Sequence, residues 1–129
     1  MTSAAEYLQE AVKGYAETIE QLVSGNCKWF YDQYCDDDTD ADEYADSYAR
    51  LSKYFEDVLD VEIISDLRGE YRGAKIWLAL GGPGICLDTR EGWVKGYWGS
   101  DYAEYHVQSW AVAAVDEYFS EQWDISRGY

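Results

Sequence analysis

The stretch Ala74–Trp98, AKIWLALGGPGICLDTREGWVKGYW, decides the fold. In its first part Ala74, Ile76, Leu78 and Leu80 alternate with Lys75, Trp77 and Ala79, the period of two expected of a strand with one face buried. Gly81, Gly82, Pro83 and Gly84 then force a turn. Ile85–Thr89 and Trp93–Trp98 flank Arg90, Glu91 and Gly92, a connection that places glycine where a hairpin needs a positive φ. Strands joined by links this short are antiparallel neighbours. Upstream, Val61–Leu67 reads as a further strand, with the turn at residues 68–73. Downstream, Gly99, Ser100 and Asp101 turn the chain into Tyr102–Val107. The expectation is an antiparallel meander of four to five strands.

Outside this region the period becomes helical. From Ser3 to Ser24, Leu8, Val12, Tyr15, Ile19 and Leu22 recur every three or four residues, opposite Glu6, Glu10, Lys13, Glu17 and Glu20. Thr2 or Ser3 can cap that helix, and Gly25 with Asn26 can end it. Residues 27–36 carry Trp29, Phe30, Tyr31 and Tyr34 and read as a short helix or turn. A second long helix is expected from a cap at Thr39 or Asp40 up to Asp60. Its inner arc would hold Ala41, Tyr44, Ala45, Tyr48, Leu51, Phe55, Val58 and Leu59, with Arg50 paired to Asp46. Gln108–Trp123 predicts a closing helix, capped at Ser109, with Val112, Val115, Phe119 and Trp123 facing inward and residues 124–129 frayed. The fold class is α+β: one domain over 1–129, helical and acidic over 1–60, strand-rich over 61–107, with a C-terminal helix over 108–123. Two N-terminal helices and one C-terminal helix would pack on the sheet.

Length and composition support one folded unit. The chain has 129 residues, 47% hydrophobic and 17% aromatic, too rich in apolar groups for a disordered chain despite its charge. Its formal charge of −16 opposes binding to phosphate backbones and anionic membrane surfaces, so neither nucleic acid nor membrane is an expected direct partner. Cys27, Cys35 and Cys86 lack CxxC spacing and are odd in number, which argues against a zinc site and a disulfide framework. No basic region followed by an apolar core opens the chain, and no apolar run is long enough to span a bilayer. A cytoplasmic setting is expected.

Catalytic patterns are missing. His106 is the single histidine, and nothing near it in sequence marks it as a general base. The glycines at 81, 82 and 84 lack the lysine of a phosphate-binding loop and lead into a strand, so they read as a turn. An EF-hand alignment on Asp36, Asp38 and Asp40 puts Ala41 where glycine is needed and Ser47 where the bidentate glutamate belongs. Paired carboxylates beside an aromatic sheet leave a small hydrolase as a remote alternative. No cofactor and no metal are expected.

The charge is concentrated. Seven carboxylates lie between Asp36 and Asp46 with no base among them, and Asp32–Glu62 holds 12 acids against Arg50 and Lys53, a net of −10 within the total of −16. On a continuous helix Asp38, Asp42, Glu43, Asp46, Glu56, Asp57 and Asp60 would share the outer arc. A row such as Asp38, Asp42 and Asp46 repeats at about 6 Å, close to the phosphate spacing along a strand, and a groove built for a phosphate backbone would accept it. The candidate partner-binding residues are Asp36, Asp37, Asp38, Asp40, Asp42, Glu43, Asp46, Glu56, Asp57 and Asp60. A second candidate interface is the sheet face opposite Ile76, Leu78, Leu80, Ile85, Leu87 and Val94, carrying Trp77, Trp93, Tyr97, Tyr102 and His106 beside Lys75 and Lys95. These aromatics either pair across strands or form an exposed patch of the kind that supplies binding hot spots.

The small size and the acidic helix resemble nucleic-acid-mimicking inhibitors of phages and mobile elements, of the anti-CRISPR and anti-restriction type. The residues Gly81, Gly82, Pro83 through Leu87, Asp88, Thr89, Val94, Gly96, Tyr97, Trp98, Gly99 and Ala103 are similar to a strand-rich module of such proteins, over about the last 50 residues. The resemblance implies a non-catalytic inhibitor of a host defence complex, a CRISPR effector first, whose basic nucleic-acid groove is the partner. The alternative is a structural or regulatory interaction module that uses the aromatic sheet face.

Overall fold

A computed structural model describes residues 3–26, 28–36, 41–58 and 60–128, the side chains of Ala41 and Asp42 excepted. The elements run α1 (Ala4–Ser24), α2 (Lys28–Tyr34), a 3-10 turn (Ala41–Tyr44), α3 (Ser47–Phe55), β1 (Asp60–Ser65), β2 (Tyr71–Ala79), β3 (Gly84–Asp88), β4 (Trp93–Trp98), β5 (Asp101–His106) and α4 (Ser109–Ser126). The five strands form one antiparallel sheet in the order β1-β2-β3-β4-β5. The α+β meander expected from the short turns is therefore the fold, with one short helix more than counted.

Register defines the two faces. Val61, Ile76, Leu87, Val94 and Tyr105 lie side by side across all five strands, and Ile76, Leu87 and Val94 are fully buried under the helices. Against this face α1 buries Leu8, Val12, Ala16, Ile19 and Leu22, its expected apolar stripe. Packing is tight at Gly96, where a Cβ would lie 2.8 Å from both Leu8 Cδ1 and Val12 Cγ1. The absent side chain lets α1 cross β4 at that distance. The α1 cap is Ser3, which accepts from Glu6 N–H at 3.1 Å, and Gly25 ends the helix at φ 82°.

Two bulges on β2 alter the simple alternation. One lies between Trp77 and Ala79, the other opposite Ile64 and Ser65. An extra residue turns every later side chain to the other face. At the N-terminal end this aims Tyr71 inward, where its hydroxyl donates to Asp116 of α4 at 2.7 Å. At the C-terminal end it puts Leu80 outside the strand and 54% exposed, which corrects its expected inward position.

The largest correction concerns the second long helix. The chain makes a 3-10 turn and a bend before α3 starts at Ser47, and Asp46 is its N-cap, accepting from Ala49 N–H at 2.8 Å. Thr39, Asp40 and Leu59 lie outside the described residues. Ala45 is exposed rather than packed, while Leu51 and Phe55 are buried as expected. Arg50 does not pair with Asp46. It is 4% exposed, and its guanidinium donates to the carbonyls of Leu22 (2.7 Å), Val23 (3.4 Å), Tyr44 (2.8 Å) and Ala45 (3.0 Å). Two of these belong to the last turn of α1, whose carbonyls have no partner within the helix and carry its negative dipole end.

At the other end of the chain, α4 runs three residues beyond the expected Trp123. Gln108, not Ser109, is its N-cap and makes no side-chain capping bond. Gln108 N–H instead donates to Glu20 of α1 at 2.9 Å, which ties the two helices together. Val115 and Phe119 are buried with Ala111 and Tyr118, and Val112 and Trp123 are half-buried.

Candidate interaction surfaces

The described acidic residues of this region lie in the segments around α3 and not on its face. Between Ser47 and Phe55 the helix contains no carboxylate. Asp36 follows α2, Glu43 lies in the 3-10 turn, Asp46 caps α3, Glu56 and Asp57 form the turn after it, and Asp60 opens the edge strand β1; all six are exposed. Asp37, Asp38 and Asp40 lie outside the described residues, as does the side chain of Asp42. The expected wall along one continuous helix is therefore corrected: among the described residues only Asp46 and Glu56 adjoin α3, one at each end, and the other acids lie in the turns and the edge strand around it. The physical reason lies at the start of α3. Asp46 satisfies an orphan amide at the start of α3, and Arg50 holds the preceding carbonyls in a conformation that no α-helix continues.

Few positive charges offset them. Lys53 is bound to Glu56 at 3.1 Å, which holds its ammonium pKa above the ordinary value, and Arg50 is withdrawn into the interior. All eight described acids from Asp32 to Glu62 are exposed. Lys28 is bound to Asp32 at 3.0 Å, so these two lysines sit against single carboxylates and the remaining acids set the sign of the surface. This burial of Arg50 is the feature sequence reasoning missed, and its sole signal was one arginine in a strongly acidic run.

The outer sheet face forms the second surface. One row reads Glu62, Lys75, Asp88, Trp93, His106, and the next reads Asp60, Trp77, Cys86, Lys95, Glu104. Trp77 Nε1 donates to Glu62 at 2.8 Å, bridging β2 to β1. The Trp93 and His106 rings meet edge to face at 5.0 Å, and Tyr97 and Tyr102 lie 5.2 Å apart. The aromatics thus pair across strands and remain in part accessible: Tyr97 is 43% and Tyr102 49% exposed, while Trp77 and Trp93 are half-buried. Tyr102 donates to Glu104 at 2.7 Å, and burial first, then that carboxylate, pushes its phenol up to about 12.

Beneath these side chains Cys86 is 3% exposed, and burial, followed by the nearby Asp88, raises its thiol to about 11. A thiol held neutral in this way is a poor nucleophile and a poor metal ligand. Asp88 accepts from Arg90 N–H (3.0 Å) and Glu91 N–H (3.3 Å), and Lys95 lies between Asp88 (3.7 Å) and Glu91. These charges build the β3–β4 turn, where Gly92 takes the expected positive φ of 79°.

Carboxylates and the histidine do share a cleft, of about 420 Å³, where Glu17, Glu20, Trp93, Glu104 and His106 meet. Glu20 is engaged there by Gln108 N–H. Among the described residues no group of three or more His, Cys, Asp or Glu is placed to hold a metal ion, and no helix is long and apolar enough to cross a membrane. Comparison with known proteins returned no match to a protein family, to a curated protein or to a solved structure.

Proposed function

We propose that this chain is a stoichiometric, non-catalytic inhibitor of a nucleic-acid-binding host defence complex in the bacterial cytoplasm, an anti-CRISPR protein in the first instance. It acts by laying its acidic surface in the basic groove that holds DNA or RNA. The observation that carries this reading is the concentration of charge: a net of −10 over residues 32–62, every described acid there exposed, and Arg50 buried on carbonyls. Field strength supports it rather than a phosphate-like ladder, since the described acids do not follow one helix. Such a surface speeds encounter with a basic partner, and binding there weakens steeply with salt.

The test is a charge reversal that spares the fold. Glu43→Lys, Glu56→Lys and Asp60→Lys change exposed acids and leave the Asp46 cap in place. The triple variant should keep its circular dichroism and thermal midpoint within a few degrees. It should lose capture of the effector from host lysate at about 50 mM salt, and the wild-type chain should lose it by about 500 mM. Undiminished capture by the folded variant would refute the electrostatic reading.

The exposed Tyr97 and Tyr102 favour a second reading, an interaction module that docks through the outer sheet face. It predicts binding insensitive to salt and lost on Tyr97→Ala with Tyr102→Ala.

A further inference from the structure

A pocket of about 210 Å³ lies where α1, α2 and α3 meet β2, lined by Tyr15, Tyr34, Tyr54, Asp57, Val58 and Leu78. Three of its six residues are tyrosines, each from a different helix, and the one charged residue is the exposed Asp57. The phenols are within electrostatic reach of one another. Burial first, then Tyr15 and Tyr34, holds the Tyr54 hydroxyl far above its ordinary ionisation range. Tyr34 already has a cation against its ring, the Lys53 ammonium 5.6 Å from the centroid, which Glu56 holds and which does not line the pocket. Tyr15 and Tyr54 also line a wider depression of about 460 Å³ with Ala11, Gly14, Thr18 and Trp29.

From this geometry we infer a binding site for a methylated ammonium group, of the kind carried by choline or by a trimethylated lysine. Ring faces carry partial negative charge and attract a cation brought within about 6 Å of their centroids. The pocket is smaller than the roughly 300–1,000 Å³ of drug-sized sites, which suits a single headgroup. Tyrosine rings, Val58 and Leu78 replace the water shell of a compact cation poorly, and the Lys53 ammonium over the Tyr34 ring keeps Glu56 as its partner. Methyl groups spread the charge, lower the cost of desolvation and fill an apolar wall, and Asp57 supplies the balancing charge. A neutral ligand of the same shape would gain the burial and lose the attraction. Asp57 belongs to both this pocket and the acidic surface, but the charge reversal above leaves it in place, so either proposal can fail alone.

The test is calorimetric titration of the full chain at constant ionic strength with tetramethylammonium, with choline and with 3,3-dimethylbutan-1-ol, the neutral isostere of choline. The inference predicts saturable binding of both cations, with the isostere at least about tenfold weaker. Tyr54→Leu, which keeps an apolar side chain, should weaken tetramethylammonium binding about tenfold. If that variant unfolds, Asp57→Asn on the exposed turn provides the same comparison and should weaken the cation several-fold without affecting the isostere. Equal affinity for choline and its isostere, no saturation, or indifference to Asp57→Asn would overturn the inference. Peptides bearing lysine or trimethyllysine separate the sources: preference for the methylated peptide over free choline assigns a partner side chain, and the reverse assigns a small metabolite.

Discussion

Arg50 carries a full charge into the interior and finds four carbonyl oxygens there instead of a carboxylate. Charge-assisted bonds to the end of α1 and to the turn before α3 offset its desolvation, and the helix dipole adds to them. Arg50→Met keeps the apolar stem and strands those carbonyls. Urea unfolding should show a loss of about 3 kcal/mol, and Arg50→Lys should recover only part of it because an ammonium cannot reach both elements. Cys86 offers a pH readout. Its folded value near 11 lies above the ordinary 9.0, so folding favours the protonated thiol. That contribution is complete below about pH 9 and is lost as pH rises through 11. Stability of the wild type should fall by about 1–2 kcal/mol more than that of Cys86→Ala across this window, read from urea midpoints at each pH.

At the scale of elements, α3 is a short helix whose position depends on its start. Asp46→Ala should cost about 1 kcal/mol of stability by removing the bond to Ala49 N–H, while Asp46→Asn should retain most of it. A thermal melt of the two variants checks the difference. The Asp46→Ala result also bears on binding, since Asp46 serves the fold first and the acidic surface second. The sheet and α1 were legible in the sequence because each signal there is local: alternation in Ala74–Trp77, glycine at 92, and an apolar stripe from Leu8 to Leu22. The β2 bulges were not, because an added residue leaves the composition of a strand unchanged while it turns Tyr71 in and Leu80 out. The break before α3 was hidden for a different reason. Asp46 scores as an outer-face residue and as a cap with equal ease, and the choice is made by Arg50 reaching across to a helix 28 residues earlier.

For the whole molecule, helices pack on one face of the sheet and charge gathers at the joints between them. Most of the excess negative charge lies in about a quarter of the chain, and the one arginine within it is buried. The candidate acids were legible as a cluster in sequence, and the placement of the described ones in turns and caps around α3 was not, since periodicity describes a helix only where one exists. A field of this kind should act on any groove that holds a phosphate backbone, and specificity must come from contacts other than charge. Competition with nucleic acid is therefore the property that distinguishes this account from docking through Tyr97 and Tyr102. The direct measurement is target-DNA binding by a panel of purified CRISPR effector complexes, titrated with this chain at several salt concentrations. The account predicts that, for the effector it blocks, apparent DNA affinity falls in proportion to the concentration of the chain, full binding returns at excess DNA, and the inhibition weakens as salt rises. Inhibition that excess DNA cannot reverse and salt does not weaken, or DNA binding unchanged across the panel, would contradict it.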